Sequence, residues 1–144
     1  MNIITSSVTD HVLAVDGVNR SVADSLSPAL SAADAALTRL FMSAVGATVA
    51  NLAAAGIYPR LGVTDDGATL TLAGDAATVT AFESMHAVIE EAVALELLAR
   101  CREDAQPATA AARRTEARAL AAHVATLVTA ATPITVPRRA LSAY

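Results

Sequence analysis

From Leu40 to Pro59 the chain reads LFMSAVGATVANLAAAGIYP, twenty residues without a charge. The stretches on either side read as helices with charges on one face. This one is apolar or small all round, and such a helix is normally enclosed by a large core or by lipid. A chain of 144 residues has little core with which to enclose it. The stretch therefore predicts cover from neighbouring copies of the chain, with Phe41, Val45, Val49 and Leu52 as the interface stripe.

Lipid is the competing cover, since about twenty apolar residues span a bilayer. Ser43, Gly46, Thr48, Asn51 and Gly56 dilute the apolarity, however, and much of the rest is Ala. Arg39 and Arg60 flank the stretch symmetrically, so no charge bias sets an orientation. The expectation is a tightly packed helix outside any membrane.

Composition points the same way. Hydrophobic residues make up 54%, aromatic residues only 3%, and there is no Trp. About a quarter of the chain is Ala, the best helix former. Thin, closely spaced helices with modest burial per residue gain much from oligomerisation. A net charge of −4 argues against a nucleic-acid reader, which needs a basic patch, but does not exclude a surface that repels DNA and lets it slide past. Cys101 is the single cysteine, which excludes an intramolecular disulfide framework and Cys-based zinc motifs. The start MNIITSSVTDHV lacks a basic region followed by an apolar core, so no signal peptide is expected and synthesis in a reducing cytoplasm fits.

The fold predicted is mainly α, a bundle of about four helices with one β-hairpin and an extended C-terminal tail. Residues 1–131 form the helical domain and 132–144 the tail. An extended lead-in over residues 1–6 precedes a short helix capped by Ser7, with Val8, Val12 and Val15 inward, which Asp16-Gly17 stops. Ser21 and Asp24 cap a single turn in the linker. A long helix starts at Ser27-Pro28 and aligns Leu30, Leu37, Phe41, Val45, Val49 and Leu52 before Gly56 ends it. Asp65-Asp66-Gly67, followed by alternating Leu70 and Leu72, signals a hairpin over about residues 61–73. An isolated hairpin is marginal, so it packs on the helices or pairs with a neighbour's strand. Asp75 caps one helix running to about Asp104, with Val79, Phe82, Met85, Ile89, Val93 and Leu97 inward. The last helix opens at Pro107 and buries Leu120, Val124, Leu127 and Val128, with Arg113, Arg114, Glu116 and Arg118 outward. Pro133 and Pro137 then hold the tail extended.

No chemistry is legible in the motifs. His11, His86 and His123 are far apart, and even if His86 met His123, zinc would need two further ligands. Cys101 lies near Arg100 and Arg102, but no base stands beside it, and it reads as an inert half-buried thiol. Asp65-Asp66 lacks the rest of a calcium loop. Glu90-Glu91 reads as a solvated face. No nucleophile elbow, phosphate loop or HExxH occurs. The expectation is a protein that is not an enzyme and uses no cofactor or metal. The tail is either disordered, as termini commonly are, or a docking segment made by Ile134, Val136, Pro137, Arg138, Arg139, Leu141 and Tyr144; its arginines either solubilise it or face an acidic groove on a partner, with the apolar side chains filling pockets in the manner of an added strand.

The order of elements carries a resemblance. A short helix (SSVTDHVLAV) leads to a small-residue helix (SPALSAADAALTRL), a loop near GIYPRL, an amphipathic helix (VIEEAVALELLARCRE) and a last helix (AARRTEARALAAHVATLV). The AADAAL stretch and the break at ALELLARCREDAQ are the most suggestive pieces. Over residues 7–130 this resembles the head-to-tail connector, or adaptor, proteins of tailed bacteriophages and related gene-transfer particles; the DDG hairpin departs from that pattern. The resemblance implies a homo-oligomeric ring of about twelve subunits beneath the portal, since heterologous contacts close into rings. It also implies a portal-docking tail over Ile134–Tyr144, a lower face for a stopper or tail-completion protein, and non-specific passage of double-stranded DNA. Asp65, Asp66, Leu70 and Leu72 become an inter-subunit or lumen-facing loop, and the protein is placed in the virion neck. The alternative is a small cytoplasmic helical interaction module, a homodimer without a virion role.

Overall fold

The computed structural model describes residues 1–16 and 35–131. The helix start at Ser27-Pro28, the turn at Ser21 and Asp24, and the tail 132–144 lie outside them. The order is β1 (Asn2–Ile4), α1 (Thr5–Asp16), α2 (Ala35–Ala54), β2 (Arg60–Thr64), β3 (Gly67–Thr71), α3 (Ala76–Ser84), α4 (His86–Arg102) and α5 (Pro107–Ala131). The fold is mainly α; among the described residues five helices pack together with a small three-stranded antiparallel sheet.

Helix α2 stops where Gly56 takes φ 95°. Gly56 N–H donates to Ala53 C=O at 3.0 Å and Ile57 N–H to Leu52 C=O at 2.9 Å. That pairing is a Schellman cap, and its usual apolar contact is supplied by Ile57 and Leu52, both in the core. The left-handed backbone here favours glycine.

The hairpin forms, with Thr64 opposite Gly67. Its turn is not the primed type that Asp-Gly suggests, because neither Asp65 nor Asp66 has a positive φ. Gly67 serves another end. Residues 1–6 are not a plain lead-in: β1 pairs antiparallel with β3, placing the order at β1-β3-β2. A Cβ on Gly67 would overlap the Ile3 carbonyl oxygen. The hairpin thus gains a third strand and a helical floor from its own chain.

The helix expected over 75–104 is two helices. Asp75 caps α3, accepting from Thr78 N–H at 2.8 Å. Met85, at φ −88° and ψ 12°, ends α3 and turns the chain into α4. From Ala92 to Ala99 every residue of α4 is buried, and α4 packs against α1, α2 and α5. On α5 the buried stripe is Ala110, Ala117, Ala121, Val124, Ala125 and Val128. Its alanines let the helices approach closely. Leu127, expected inside, is 40% exposed, and Leu120 is only half-buried.

Candidate functional site

Burial inverts the expectation drawn from charge. Charged α4 is enclosed, whereas in α2, which carries no charge beyond Arg39, the buried residues among those described are Leu37, Phe41, Ala44, Val45, Thr48 and Leu52. Phe41, Val45 and Leu52 therefore face the chain's own core and are not available to a neighbouring copy. Val49 is half-buried against the same core. The interface stripe is corrected accordingly: beyond the exposed Thr38 and Arg39, what α2 presents outward is small residues, Ser43, Ala50 and Ala54, with Ala55 just after its end. By length and composition Leu37–Ala54 is apolar enough to cross a membrane, with mean hydropathy 1.3.

Two carboxylates inside α4 are matched by partners from distant sequence. Glu96 Oε1 accepts from Asn51 Nδ2 at 3.1 Å, and its Oε2 from Arg100 Nη1 at 2.7 Å. Arg100 Nε donates on to Ser43 Oγ at 2.9 Å. Glu90, read as solvated, is buried, while Glu91 is exposed. Ser7 Oγ donates to Glu90 Oε2 at 3.0 Å, and the Nε2 atoms of His11 and His86 stand 3.8 and 3.3 Å from its oxygens. Ser7 is thus a tether inside α1, which starts at Thr5, and not its cap.

The histidines correct another expectation. His11 and His86, far apart in sequence, flank one carboxylate, while His123 is exposed. His86 Nε2 is 2.7 Å from Asn2 C=O, and a carbonyl only accepts, so that nitrogen carries the hydrogen. In a nucleophilic triad the imidazole stands between hydroxyl and carboxylate. Here the hydroxyl goes straight to the carboxylate and the imidazole to backbone, which is the geometry of an anchor joining α1 and β1 to α4. No group of three potential metal ligands occurs among the described residues. Cys101 is half-buried.

Surface features suited to contact lie elsewhere. A shallow groove between α2 and α5 is lined by Ala55, Ala122, Ala125, Thr126, Thr129 and Ala130. Asn51, Ala54 and Arg118 continue it. Among the hairpin residues, Asp65 and Asp66 are exposed at the tip, and Leu72 is half-buried against the core. Leu70 is fully buried in the chain's own core, which removes it from the expected interface. Val63 and Leu61, not singled out from sequence, are 75% and 41% exposed. Tail residues Ile134, Val136, Pro137, Arg138, Arg139, Leu141 and Tyr144 lie outside the described residues. The surface Asp75 carboxyl is held below its usual value, chiefly by the Thr78 backbone N–H and then by the Thr78 hydroxyl.

Comparison with family models, curated proteins and solved structures finds no match.

Proposed function

We propose that this chain is a structural subunit of a tailed phage or related gene-transfer particle. In this reading it is an adaptor that forms a ring below the portal, bridges the capsid vertex to the tail and lines the DNA channel. Its partners are further copies of itself, the portal, a stopper or tail-completion protein, and double-stranded DNA in passage. The tail 132–144 reaches the portal, and the protein resides in the virion neck. The observation that carries the reading is the outward face of α2 with the adjoining α5 groove. Its small exposed residues, Ala50, Ala54, Ala55, Ala122 and Thr126, beside Arg118, suit close helix contact with a neighbouring subunit. The element order of the adaptor proteins supports it as well.

The genome tests this directly. Sequencing the reading frames on both sides of the gene is expected to find portal or capsid genes upstream and tail genes downstream. Flanks without particle genes would overturn the adaptor and leave the dimeric interaction module.

A further inference from the structure

Two exposed surfaces border opposite ends of α2. At one end, Phe41 and Met42 wall a cavity of about 310 Å³ beside Val63 of β2. At the other, Asn51, Ala54 and Ala55 border the groove against α5. Helical rise puts Phe41 and Ala54 about 20 Å apart, so these are separate faces of the subunit. At the first face, large apolar side chains stand proud. Among the described residues β2 has β3 as its single strand neighbour. Leu61 and Val63 lie opposite Leu70 and Ala68 and share their side of the sheet. Leu70 and Ala68 are buried, yet Leu61 and Val63 overhang the helices and remain exposed. Asp65 and Asp66 follow at the hairpin tip, both exposed. The second face is the reverse. Its exposed lining on α5 is Ala122, Thr126 and Thr129, small side chains in a depression, and the exposed cation Arg118 stands at its end.

We infer that the β2 edge of one copy seats in the α2–α5 groove of the next copy. Val63 lies over Ala122, Leu61 over Thr126 and Thr129, and the two aspartates against Arg118. Charge, size and length all match. The carboxylates of the tip meet the one cation that borders the groove among its described lining residues, a pairing that sets orientation and register. Large exposed side chains enter a surface whose own side chains are small, which is the complementarity that close packing needs. From Leu61 to Asp65 a strand rises about 13 Å. From Thr129 to Arg118 a helix rises about 16 Å, and the Arg118 side chain spans the difference. The opposite direction would bring the carboxylates to Thr129 and Ala130, near the end of α5 at Ala131. A helix C-terminus carries partial negative charge, so that direction is disfavoured. Each copy then uses its edge on one neighbour and its groove on the other, and such a head-to-tail contact closes into a ring. The closure rests on the adaptor reading; the pairing of the two faces does not.

Two full-length variants test the pairing by sedimentation, alone and mixed. Val63→Arg spoils the edge and keeps the groove, whereas Ala122→Arg spoils the groove and keeps the edge. Both positions are exposed, so both subunits are expected to keep the wild-type melting curve. Each variant alone is expected to associate at least about tenfold more weakly than wild type, since a misplaced charge at an interface is costly. Mixed in equal amounts, they are expected to form a one-to-one heterodimer and nothing larger, because one productive contact is left between them. A mixture that associates no better than either variant alone would overturn the pairing. So would Val63→Arg assembling like the wild type, and in that case a wild-type ring would leave the adaptor reading standing. Wild-type chain that stays monomeric would overturn the pairing and the ring together.

Discussion

Asn51 Nδ2 donates to Glu96 Oε1 at 3.1 Å, so the one amide of the uncharged stretch answers a carboxylate on the most deeply buried helix. With Arg100 and Ser43 the four side chains close a polar link between α2 and α4. A buried ion pair broken on one side leaves the other charge uncompensated. Glu96→Ala is expected to cost about 3 kcal/mol in chemical denaturation. The double change Glu96→Met with Arg100→Met, which removes both charges, is expected to recover most of that loss.

Gly67 tests the third strand. Gly67→Ala places a methyl against the Ile3 carbonyl, and backbone on both sides limits relaxation. The expected loss is about 1–3 kcal/mol, with faster amide exchange at Leu70, whose N–H bonds to Met1 C=O. Unchanged exchange there would mean that β1 does not depend on this close approach.

Asp75 gives a pH dependence of known sign. Its folded-state pKa lies below the ordinary 3.8. The ionised cap therefore stabilises fully above the unfolded value, and that contribution disappears as pH falls through the folded value. Asp75→Ala is expected to lower the thermal midpoint at pH 7. The gap between variant and wild type should narrow below pH 3.8. A gap independent of pH would contradict the assignment of the effect to the carboxylate.

The outward groove separates folding from assembly. Ala122 is exposed and lines it. A surface substitution of this kind usually shifts stability by no more than about 0.5 kcal/mol. Ala122→Arg is expected to leave the melting curve of the subunit in place while blocking self-association, read by sedimentation. Association at wild-type strength would remove the groove from the interface.

Period and punctuation made much of this fold legible. Val8 and Val12, then Leu37, Phe41, Val45 and Leu52, then Phe82, Ile89, Val93 and Leu97 are buried at the spacing that their helices dictate. Gly56 and Asp75 end and begin helices for local reasons that can be read residue by residue. What escaped depends on partners distant in the chain. Glu90 looks solvated until Ser7 is brought to it across 83 residues, and nothing local to Glu96 announces Asn51, 45 residues away. Strand β1 is three residues long, too short to show alternation, and Met85 breaks a helix without Gly or Pro to announce it. Leu61 and Val63 gave no signal, because which edge of a sheet stays open depends on the third strand.

Native mass measurement, followed by electron microscopy, on the protein purified alone and together with the portal from the same genome tests the central claim most directly. The account expects a closed ring, coaxial with the portal, with subunits joined through two different faces. A two-fold dimer, or a monomer that ignores the portal, would contradict it.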